Sequence, residues 1–557
     1  MNSNRKRRIF TAFFCPLLLS CLFWGCGNTA EDSTEAAATT SANADVAYLD
    51  SADMFTDRDK EVGYSESEST IITLADGNSS CSDSSVSING DTITISAEGT
   101  YILSGSLSDG QVIVDAADAK LQLVLNNAAI SCDTSAALYV KDADKVFVTL
   151  APDSANTFTN TSDYVAIDDN NIDAVIFSKK DITLNGSGTL NIQASYGHGI
   201  VSKKDLAITG GTYNITAASH ALSGKNSVRI ADGTFALTAG KDGIHSENTD
   251  EMEKGFIYVS GGDFHIDCES DGFDGDYTVQ FDGGNIEIAA GDDGIHSDSD
   301  LIVTAINLHI TKSYEGLEGE TITIIGGEAH VTSSDDGLNA AGGDKSGGGF
   351  DEVDDSNFIN ITGGTLYVNA EGDGIDSNGN MTILGGEIYV SGPTNGGNGA
   401  LDYAGSAVIS GGTVVAVGSN GMAMNFGTDS TQGSMLVTVA DTLLTGELTL
   451  TDSDGNVLLR YTPEKSYNSV VISCADLTEG ETYTLTTADV TTTVELTSLI
   501  YGENDMGGGG GMRGGHQKPF SKEPPKAPDG QRVTPPDGNT NPMEKPSNEN
   551  FSTDSTM

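Results

Sequence analysis

The sequence contains little cysteine, little tryptophan and few basic residues, and each shortage excludes a class of protein. Seven cysteines in 557 residues are too few for a disulfide-stapled scaffold. One tryptophan and 6% aromatic residues argue against a conventional aromatic-lined ligand cleft. Lys and Arg number 27 against 81 Asp and Glu, a formal net charge of −54. This excess argues against nucleic acid, or an anionic membrane surface, as the partner.

The N-terminus predicts an export signal. A basic segment at 5–8 precedes an apolar run at 9–24. The sequence FWGC at 23–26 resembles a bacterial lipoprotein signal, which predicts a lipid on Cys26, with Cys21 as the alternative. The protein is then expected on the extracellular face of the cell membrane, attached to it only through this anchor. An ordinary signal peptide with an incidental cysteine is the other interpretation of residues 1–26.

Two further segments have compositions that cannot form a packed core. Residues 27–69 are rich in Ser, Thr, Ala and acidic residues, which predicts a disordered tether. Residues 506–557 contain five consecutive glycines and eight of the twelve prolines, which predicts a disordered tail.

A short glycine-containing phrase recurs between these segments. DGIHSE at 242–247, DGIHSD at 293–298 and DGLNAA at 336–341 belong to a series with a step near 22 residues, interrupted by insertions. Each step contains three short segments of period-two alternation. Three strands and three turns per step predict an all-β fold, a parallel β-helix over 70–430, with coils that rise ~4.8 Å each. Residues 431–505 lose the period and predict a small C-terminal β cap over the last coil.

Acidic residues occupy one position of the repeat in six consecutive coils. The residues immediately before the recurring glycine are His198, His220, Asp242, Asp271, Asp293, Glu315, Asp336, Asp373, Asn398 and Asn420. A second column, two residues after the glycine, contains His245, Asp274, His296, Glu318, Asn339 and Asp376. Other acids, including Asp292 and Asp335, lie at the same corner.

The density of these carboxylates predicts bound Ca²⁺. Because coils stack directly, equivalent carboxylates should lie roughly 5 Å apart, where two charges repel by about 3 kcal/mol at an effective dielectric of ~20. Lys241 and Lys312 are too few to neutralise them, and clustered oxygen ligands favour Ca²⁺. A single Asp beside a glycine is more often a turn residue, but the whole column favours metal. His245 and His296 are predicted to be exposed strand residues rather than ligands.

These features resemble the bacterial carbohydrate-binding domain-containing surface proteins. The phrases SDDGLNAAGG at 334–343 and EGDGIDSNGN at 371–380 are the most specific part of a resemblance that extends over 70–505. The resemblance implies a right-handed parallel β-helix, related in fold to pectate lyases. It also implies Ca²⁺-assisted, non-catalytic binding of plant cell-wall polysaccharide, both polygalacturonate (pectin) and cellulose. Carried over by position, it points to Asp336, Asn339, Asp373, Asp376 and Asn378, with Asp271, Asp274, Asp293, Glu315 and Glu318 extending the same corner.

Two other functions stay open. A Ca²⁺-dependent polysaccharide lyase needs a base near the metal, and Lys241 beside Asp242 is the candidate. A structural surface protein or adhesin would use Ca²⁺ only for rigidity. For neutral glucan, the stacking platforms would be Tyr196, Tyr213, Tyr258, Tyr277, Tyr314, Tyr367 and Tyr389. The protein is expected to be a monomer.

Overall fold

The structure is a computed structural model that describes residues 48–251, 253–342, 353–488 and 490–502. The predicted export signal with Cys21 and Cys26, and the predicted tail over 506–557, lie outside the described residues. Within the described ranges, no helix has the length and apolar character needed to cross a membrane.

The strands pair mainly in parallel, each with the equivalent strand of the next coil. These pairings form three stacks, which we call the first, second and third stack, and a typical coil contributes one strand to each. The register is continuous, so that Ile244 pairs with Phe273 and Phe273 with Ile295. The predicted all-β fold, a parallel β-helix with three-strand coils, is therefore confirmed.

The strand bounds follow the three stacks. The first stack contains Thr92–Ile95, Gln111–Asp115, Leu138–Asp142, Ala174–Ser178, His198–Ser202, Leu222–Gly224, Ile244–Ser246, Phe273–Gly275, Leu338–Ala340, Ile375–Ser377 and Leu401–Tyr403. The second stack contains Thr70–Leu74, Lys145–Leu150, Asp181–Gly186, Asp205–Ile208, Ser227–Ile230, Phe358–Ile361, Asn380–Ile383 and Ala407–Ile409. The third stack contains Ala155–Asn160, Thr189–Ala194, Thr212–Ala217, Thr234–Ala239, Asn307–Lys312, Glu328–Ser333, Thr365–Ala370, Glu387–Ser391 and Thr413–Gly418.

Longer strands turn a corner and belong to two stacks. Those that join the second and third stacks are Gly99–Leu107, Lys120–Ser131, Phe256–Cys268 and Thr278–Ala289. Those that join the first and second stacks are Ile295–Val303 and Leu317–Ile324. Near the N-terminal end, Val86–Asn89 forms an antiparallel hairpin with the first strand of the first stack.

The core is a column of side chains that alternation directs inward. Ile244, Phe273, Ile295, Leu317 and Leu338 are each 0% exposed. Full burial of such a side chain contributes about 1.5–3 kcal/mol, and the repeat multiplies this contribution along the axis. The same alternation points the intervening residues outward, which is why the second acidic column lies on the outer surface of the first stack.

The recurring glycines have two different roles. Gly364, immediately before the third-stack strand Thr365–Ala370, has a φ of 88°, a conformation that other residues rarely adopt. At Gly337, a Cβ atom would overlap Val368 Cγ1 and the carbonyl oxygen of Gly374 in the neighbouring coil. The glycine that follows each first-column acid is therefore required for close approach between coils.

The end of the helix is covered by antiparallel strands. Ser469–Ser473 pairs antiparallel with Thr413–Gly418, the last strand of the third stack, and with Ser434–Thr438. Ile500–Tyr501 extends this group. A separate four-stranded antiparallel sheet contains Leu448–Thr451, Val457–Tyr461, Thr482–Thr487 and Val490–Glu495.

The prediction of a disordered tether over 27–69 is wrong for residues 48–69. This segment contains two 3₁₀ helices, Ser51–Asp53 and Asp57–Lys60, and it packs on the outside of the second stack. The Leu49 N–H donates a hydrogen bond to Gln280 Oε1 at 2.8 Å, and the side chain of Met54 is buried.

Asp59 attaches this segment to the coils. It is 1% exposed, and its Oδ1 lies 2.6 Å from Lys145 Nζ and accepts a hydrogen bond from Thr183 Oγ1 at 2.5 Å. Burial alone would raise the pKa of Asp59, but the hydrogen bonds from Lys145 and Thr183 lower it to about 2. The composition of this segment predicts disorder because it contains few apolar residues. The segment is held instead by a few specific contacts, which composition does not reveal.

Candidate functional site

The first acidic column forms a ladder of hydrogen bonds along the corner before the first stack. In this ladder, the carboxylate of one coil accepts a hydrogen bond from the backbone N–H of the acid in the next coil. The donor–acceptor pairs are Asp271 N to Asp242 Oδ1 (3.3 Å), Asp293 N to Asp271 Oδ1 (2.7 Å), Glu315 N to Asp293 Oδ1 (3.0 Å) and Asp373 N to Asp336 Oδ1 (2.6 Å). These acids thus stabilise the turn with one oxygen, which is the role expected of a single Asp beside a glycine.

The second column lies in direct register on the outer surface of the first stack. Successive coils place there His245, Asp274, His296, Glu318, Asn339, Asp376 and Asp402. The two columns and the adjacent Asp292 bring ten of the predicted ligands into compact groups. Carboxylate or imidazole ligand atoms lie within 4.8 Å of one another in His220/Asp242/His245, Asp242/Asp271/Asp274, Asp271/Asp292/Asp293, Asp293/Glu315/Glu318 and Asp336/Asp373/Asp376.

Asp402 was missed by the sequence analysis. The phrase NGALDY at 398–403 suggested Gly399 as the recurring glycine. Ile375 pairs with Leu401, however, so Gly399 occupies the position of Asp373 and the repeat is one residue longer than assumed. The alternation of buried Leu401 and Tyr403 around half-buried Asp402 was the available signal.

Histidines neutralise the N-terminal part of the columns. His245 Nδ1 lies 3.1 Å from Asp242 Oδ2 and 2.8 Å from Asp274 Oδ2. His296 Nδ1 lies 3.0 Å from Asp274 Oδ1, and His220 Nδ1 lies 2.7 Å from Asp242 Oδ2. The prediction that His245 and His296 are exposed strand residues is therefore wrong, since their side chains are 15% and 26% exposed.

These contacts shift the protonation of both partners. Burial opposes the charge on His245 and His296, but hydrogen bonds to the carboxylates raise the pKa of each imidazole to about 10. Burial also opposes the charge on Asp242, but hydrogen bonds from His220 and His245 hold its pKa far below the ordinary range. The imidazolium groups therefore supply positive charge to this end of the columns, in addition to the few lysines of the coils.

Within the part of the chain that the structure describes, the C-terminal part of the columns has no such compensation. Among the described residues, no Lys, Arg or His forms an ion pair with Asp336, Asp373 or Asp376. Burial raises the pKa of Asp336 to about 6. Burial and the charges of neighbouring carboxylates raise the pKa of Asp373 to about 7 and that of Asp376 to about 8. The group repels its own ionised form and would be stabilised by a cation.

The group Asp293/Glu315/Glu318 is intermediate between these two parts. Burial and the Glu318 carboxylate raise the pKa of Asp293 to about 9, and burial with the charge of Glu318 raises that of Glu315 to about 7. His296 Nε2 is 3.5 Å from Glu318 Oε2. Asn339 Nδ2 donates a hydrogen bond to Glu315 Oε2 at 2.9 Å, while Asn339 Oδ1 is buried without a hydrogen-bond partner among the described residues.

Asp335, Asn378 and Lys241 lie outside these groups, and Asp292 is the one exposed member of them. Asp335 accepts a hydrogen bond from the Tyr314 hydroxyl, and Asp292 is exposed. Asn378 follows its strand, and its backbone N–H, rather than its side chain, bonds to the preceding coil. Lys241 is exposed and makes no ion pair with any residue that the structure describes.

The predicted tyrosine platforms are largely unavailable to a ligand. Tyr213 and Tyr258 are 0% and 1% exposed. Tyr367 and Tyr389 stack on each other with ring centroids 5.2 Å apart, so their faces are covered. Tyr314 and Tyr196, which are 47% and 41% exposed, do keep accessible surface. These positions disfavour the neutral-glucan interpretation, because ring faces rather than edges pack on sugars.

The donor set of the C-terminal part suits a hard cation. Asp336, Asp373 and Asp376 offer only carboxylate oxygens, the ligands that Ca²⁺ prefers. The orphan Asn339 Oδ1 is a further oxygen close to this group, because Asn339 pairs in register with Asp376. Sulfur and imidazole ligands do not contribute to the group within the described residues.

Comparisons with known proteins identify one family and one similar solved structure. A family model described as "Carbohydrate-binding domain-containing protein" matches residues 89–350 and 290–456. A protein of the same description from Acetivibrio thermocellus is 38% identical over 128 residues, which are 22% of this chain and 45% of the relative. The chain thus spans about half the length of that relative. A solved structure of a polysaccharide lyase-like protein from C. thermocellum, a gadolinium derivative, is 32% identical, with a TM-score of 0.41, over 42% of this chain and 96% of that one.

Proposed function

Because the chain belongs to the family of carbohydrate-binding domain-containing proteins, we propose that it binds an acidic cell-wall polysaccharide through Ca²⁺. The sugar polymer is of the polygalacturonate type, and the protein holds it without cleaving it. The site is the C-terminal part of the acidic columns. The observation that supports this proposal is the half-buried group Asp336/Asp373/Asp376, whose oxygens converge within 4.8 Å and which forms no ion pair with a described residue.

The charges of the two partners require a cation between them. A chain with a net charge of −54 repels an anionic polymer, and the repulsion is strongest at its densest carboxylates. A bound Ca²⁺ supplies positive charge that protein and sugar carboxylates can share. Asp373 and Asp376 hold the cation from the two columns, and Asp336 holds it from the preceding coil.

The regular spacing of the coils favours an extended ligand. Glu318, Asn339, Asp376 and Asp402 lie in adjacent coils on one straight column. Adjacent strands are separated by about 4.8 Å, so a linear polymer that runs along this column can meet oxygen groups at regular intervals. We propose on the same basis that the protein acts outside the cell, where such polymers occur, with the predicted lipid at Cys26 as its anchor.

A co-sedimentation experiment tests the proposal. The exported chain is mixed with calcium-crosslinked polygalacturonate beads, and separately with insoluble cellulose, in Ca²⁺ or in chelator. We expect binding to polygalacturonate only with Ca²⁺, and its loss in the triple variant Asp336→Asn/Asp373→Asn/Asp376→Asn. The matched control is Asp429→Asn/Asp441→Asn/Asp476→Asn, which removes the same charge from exposed positions near the cap.

The outcomes separate the competing functions. Equal binding by both triple variants would refute the site, and binding that survives chelation would refute the role of Ca²⁺. Absence of binding to either polymer, with or without Ca²⁺, would favour a structural protein or adhesin. Unsaturated product, detected by ultraviolet absorbance and lost in Lys241→Ala, would instead establish a lyase.

A further inference from the structure

The N-terminal end of the columns differs in chemistry from the proposed Ca²⁺ site. There the ligand atoms of His220, Asp242 and His245 lie within 4.8 Å of one another, so two imidazoles accompany one carboxylate. Ca²⁺ takes oxygen ligands, whereas imidazole nitrogen suits Zn²⁺ and neighbouring divalent transition metals. The mixed donor set therefore favours a transition metal over Ca²⁺ at this end of the columns.

Both imidazoles contact the same carboxylate oxygen. His220 Nδ1 is 2.7 Å and His245 Nδ1 is 3.1 Å from the same atom, Asp242 Oδ2. Zinc binds nitrogen and oxygen at about 2.0–2.2 Å, so ligand atoms of a tetrahedral site are separated by about 3.4 Å. To admit the metal, the His220 and His245 nitrogens would have to move away from Asp242 Oδ2 by about 0.7 and about 0.3 Å respectively.

The three groups are held in place by their surroundings. Asp242 is 4% exposed and His220 is 8% exposed. The rings of His198 and His220 stack with centroids 4.9 Å apart, and those of His220 and His245 at 4.2 Å. Asp242 Oδ1 accepts the Asp271 N–H, which leaves Oδ2 directed at the imidazoles. Such fixed orientation reduces the cost of ordering ligands around a metal.

A separate observation concerns the next imidazole along the column. His198 Nδ1 is buried and has no hydrogen-bond partner among the described residues. Buried polar atoms are nearly always hydrogen-bonded, so an orphan nitrogen in a stack with His220 indicates a missing partner. A water molecule bound to a metal ion at this corner is a partner of the required kind.

We propose that His220 Nδ1, His245 Nδ1 and the Asp242 carboxylate form a site for a divalent transition metal of the Zn²⁺ type. The site is separate from the Ca²⁺ site, and it does not depend on glycan binding. Its metal replaces the hydrogen-bonding protons between the imidazoles and the carboxylate. The competing interpretation is a metal-free ladder of imidazolium–carboxylate pairs.

Cobalt is the probe that distinguishes these interpretations. The exported chain is stripped with chelator and titrated with CoCl₂ in excess Ca²⁺, which occupies oxygen-only sites. We expect visible absorption bands typical of tetrahedral cobalt that saturate at a single equivalent, and their loss when ZnCl₂ is added. X-ray absorption of the zinc-loaded wild-type chain should show imidazole ligands. This measurement needs no variant.

Variants locate the site. His220→Gln and His245→Gln should each weaken Co²⁺ binding by about tenfold or more. His309→Gln, at an exposed position on the third stack, should leave it unchanged, as should Asp336→Asn/Asp376→Asn. Absence of tetrahedral bands, zinc bound without imidazole, or equal affinity in folded His220→Gln and wild type would overturn the proposal.

Discussion

Asp336 Oδ1 accepts a hydrogen bond from the backbone N–H of Asp373 at 2.6 Å, across two successive coils. The same contact joins Asp271 to Asp293 at 2.7 Å. Because a carboxylate has two oxygens, an acid in this ladder can stabilise the turn with one and bind a cation with the other. Removal of a whole carboxylate therefore affects both roles, and amide variants, which keep the acceptor oxygen, are better probes of the cation site.

Asp376→Asn should stabilise the protein in chelator. Asp376 lies beside Asp373 and Asp402, and its pKa of about 8 shows that ionisation is opposed by burial and by their charges. Like charges roughly 5 Å apart repel by about 3 kcal/mol at an effective dielectric of ~20, so a gain of about 1–3 kcal/mol is expected above the pKa. Urea unfolding at alkaline pH measures it, with Asp441→Asn as the exposed control. A loss of stability in Asp376→Asn would contradict the repulsion.

The stability of the calcium-free protein should fall as the pH rises. The folded pKa values of Asp336, Asp373 and Asp376, about 6, 7 and 8, lie above the ordinary aspartate value of 3.8. Their protonated forms therefore stabilise the fold below pH 3.8, and this contribution is lost as the pH rises through 6 to 8.

Saturating Ca²⁺ should offset that loss, because a ligand bound only by the folded state stabilises it. Thermal midpoints recorded across this pH window, with Ca²⁺ and with chelator, provide the measurement. The gap between the two curves should widen toward alkaline pH. Curves that stay parallel would show that these carboxylates are not the ones that bind the ion.

His245→Gln should destabilise the fold at neutral pH. The imidazolium bridges Asp242 and Asp274, and its removal leaves each of these poorly solvated carboxylates with only one imidazole partner, His220 or His296. Loss of one partner of a buried ion pair costs about 3–5 kcal/mol. The folded pKa of about 10 exceeds the ordinary 6.5, so this contribution is complete below pH 6.5 and disappears as the pH rises through 10.

Metal-free urea unfolding at neutral and at alkaline pH tests this assignment. The exposed control His309→Gln should change stability by no more than about 0.5 kcal/mol. If His245→Gln and His309→Gln were equally stable at neutral pH, the His245 imidazolium would not contribute to the free energy of unfolding as proposed.

Asp59→Ala should release the N-terminal segment from the second stack. Asp59 is 1% exposed and Lys145, its partner, has a side chain 15% exposed, so the loss is expected to reach about 3–5 kcal/mol. The folded pKa of about 2 lies below the ordinary 3.8, so the contribution is present above 3.8 and is lost as the pH falls through 2.

Limited proteolysis followed by mass spectrometry should detect cleavage within 48–69 in Asp59→Ala but not in the exposed control Asp57→Ala. A second variant, Asp59→Ala/Lys145→Ala, should recover part of the loss, because it removes the unpaired charge. Strictly additive losses, or equal protection of the segment in both single variants, would refute the role of this pair.

The fold was predictable because each coil repeats the same order of glycine, buried and outward-facing residues. Gly337 and its equivalents mark the close approach between coils, and Leu338 and its equivalents mark the core. The acidic columns followed from the same period. The position of Asp402 in the second column was not predicted, because the coil before it is one residue longer than the spacing of the glycines suggests. A shift of one residue exchanges the inner and outer faces of a strand.

By itself, the sequence determined the strand period, the stacked core and the alignment of carboxylates along one corner, because these depend on spacing between neighbouring coils. Only the tertiary structure decided how the charges are compensated. It brought His245 between Asp242 and Asp274, left Asp376 without a cationic partner among the described residues, and returned Asp59 to Lys145 over 86 positions of chain. Those contacts depend on side-chain directions and on long-range docking, which the spacing of residues along the chain does not specify.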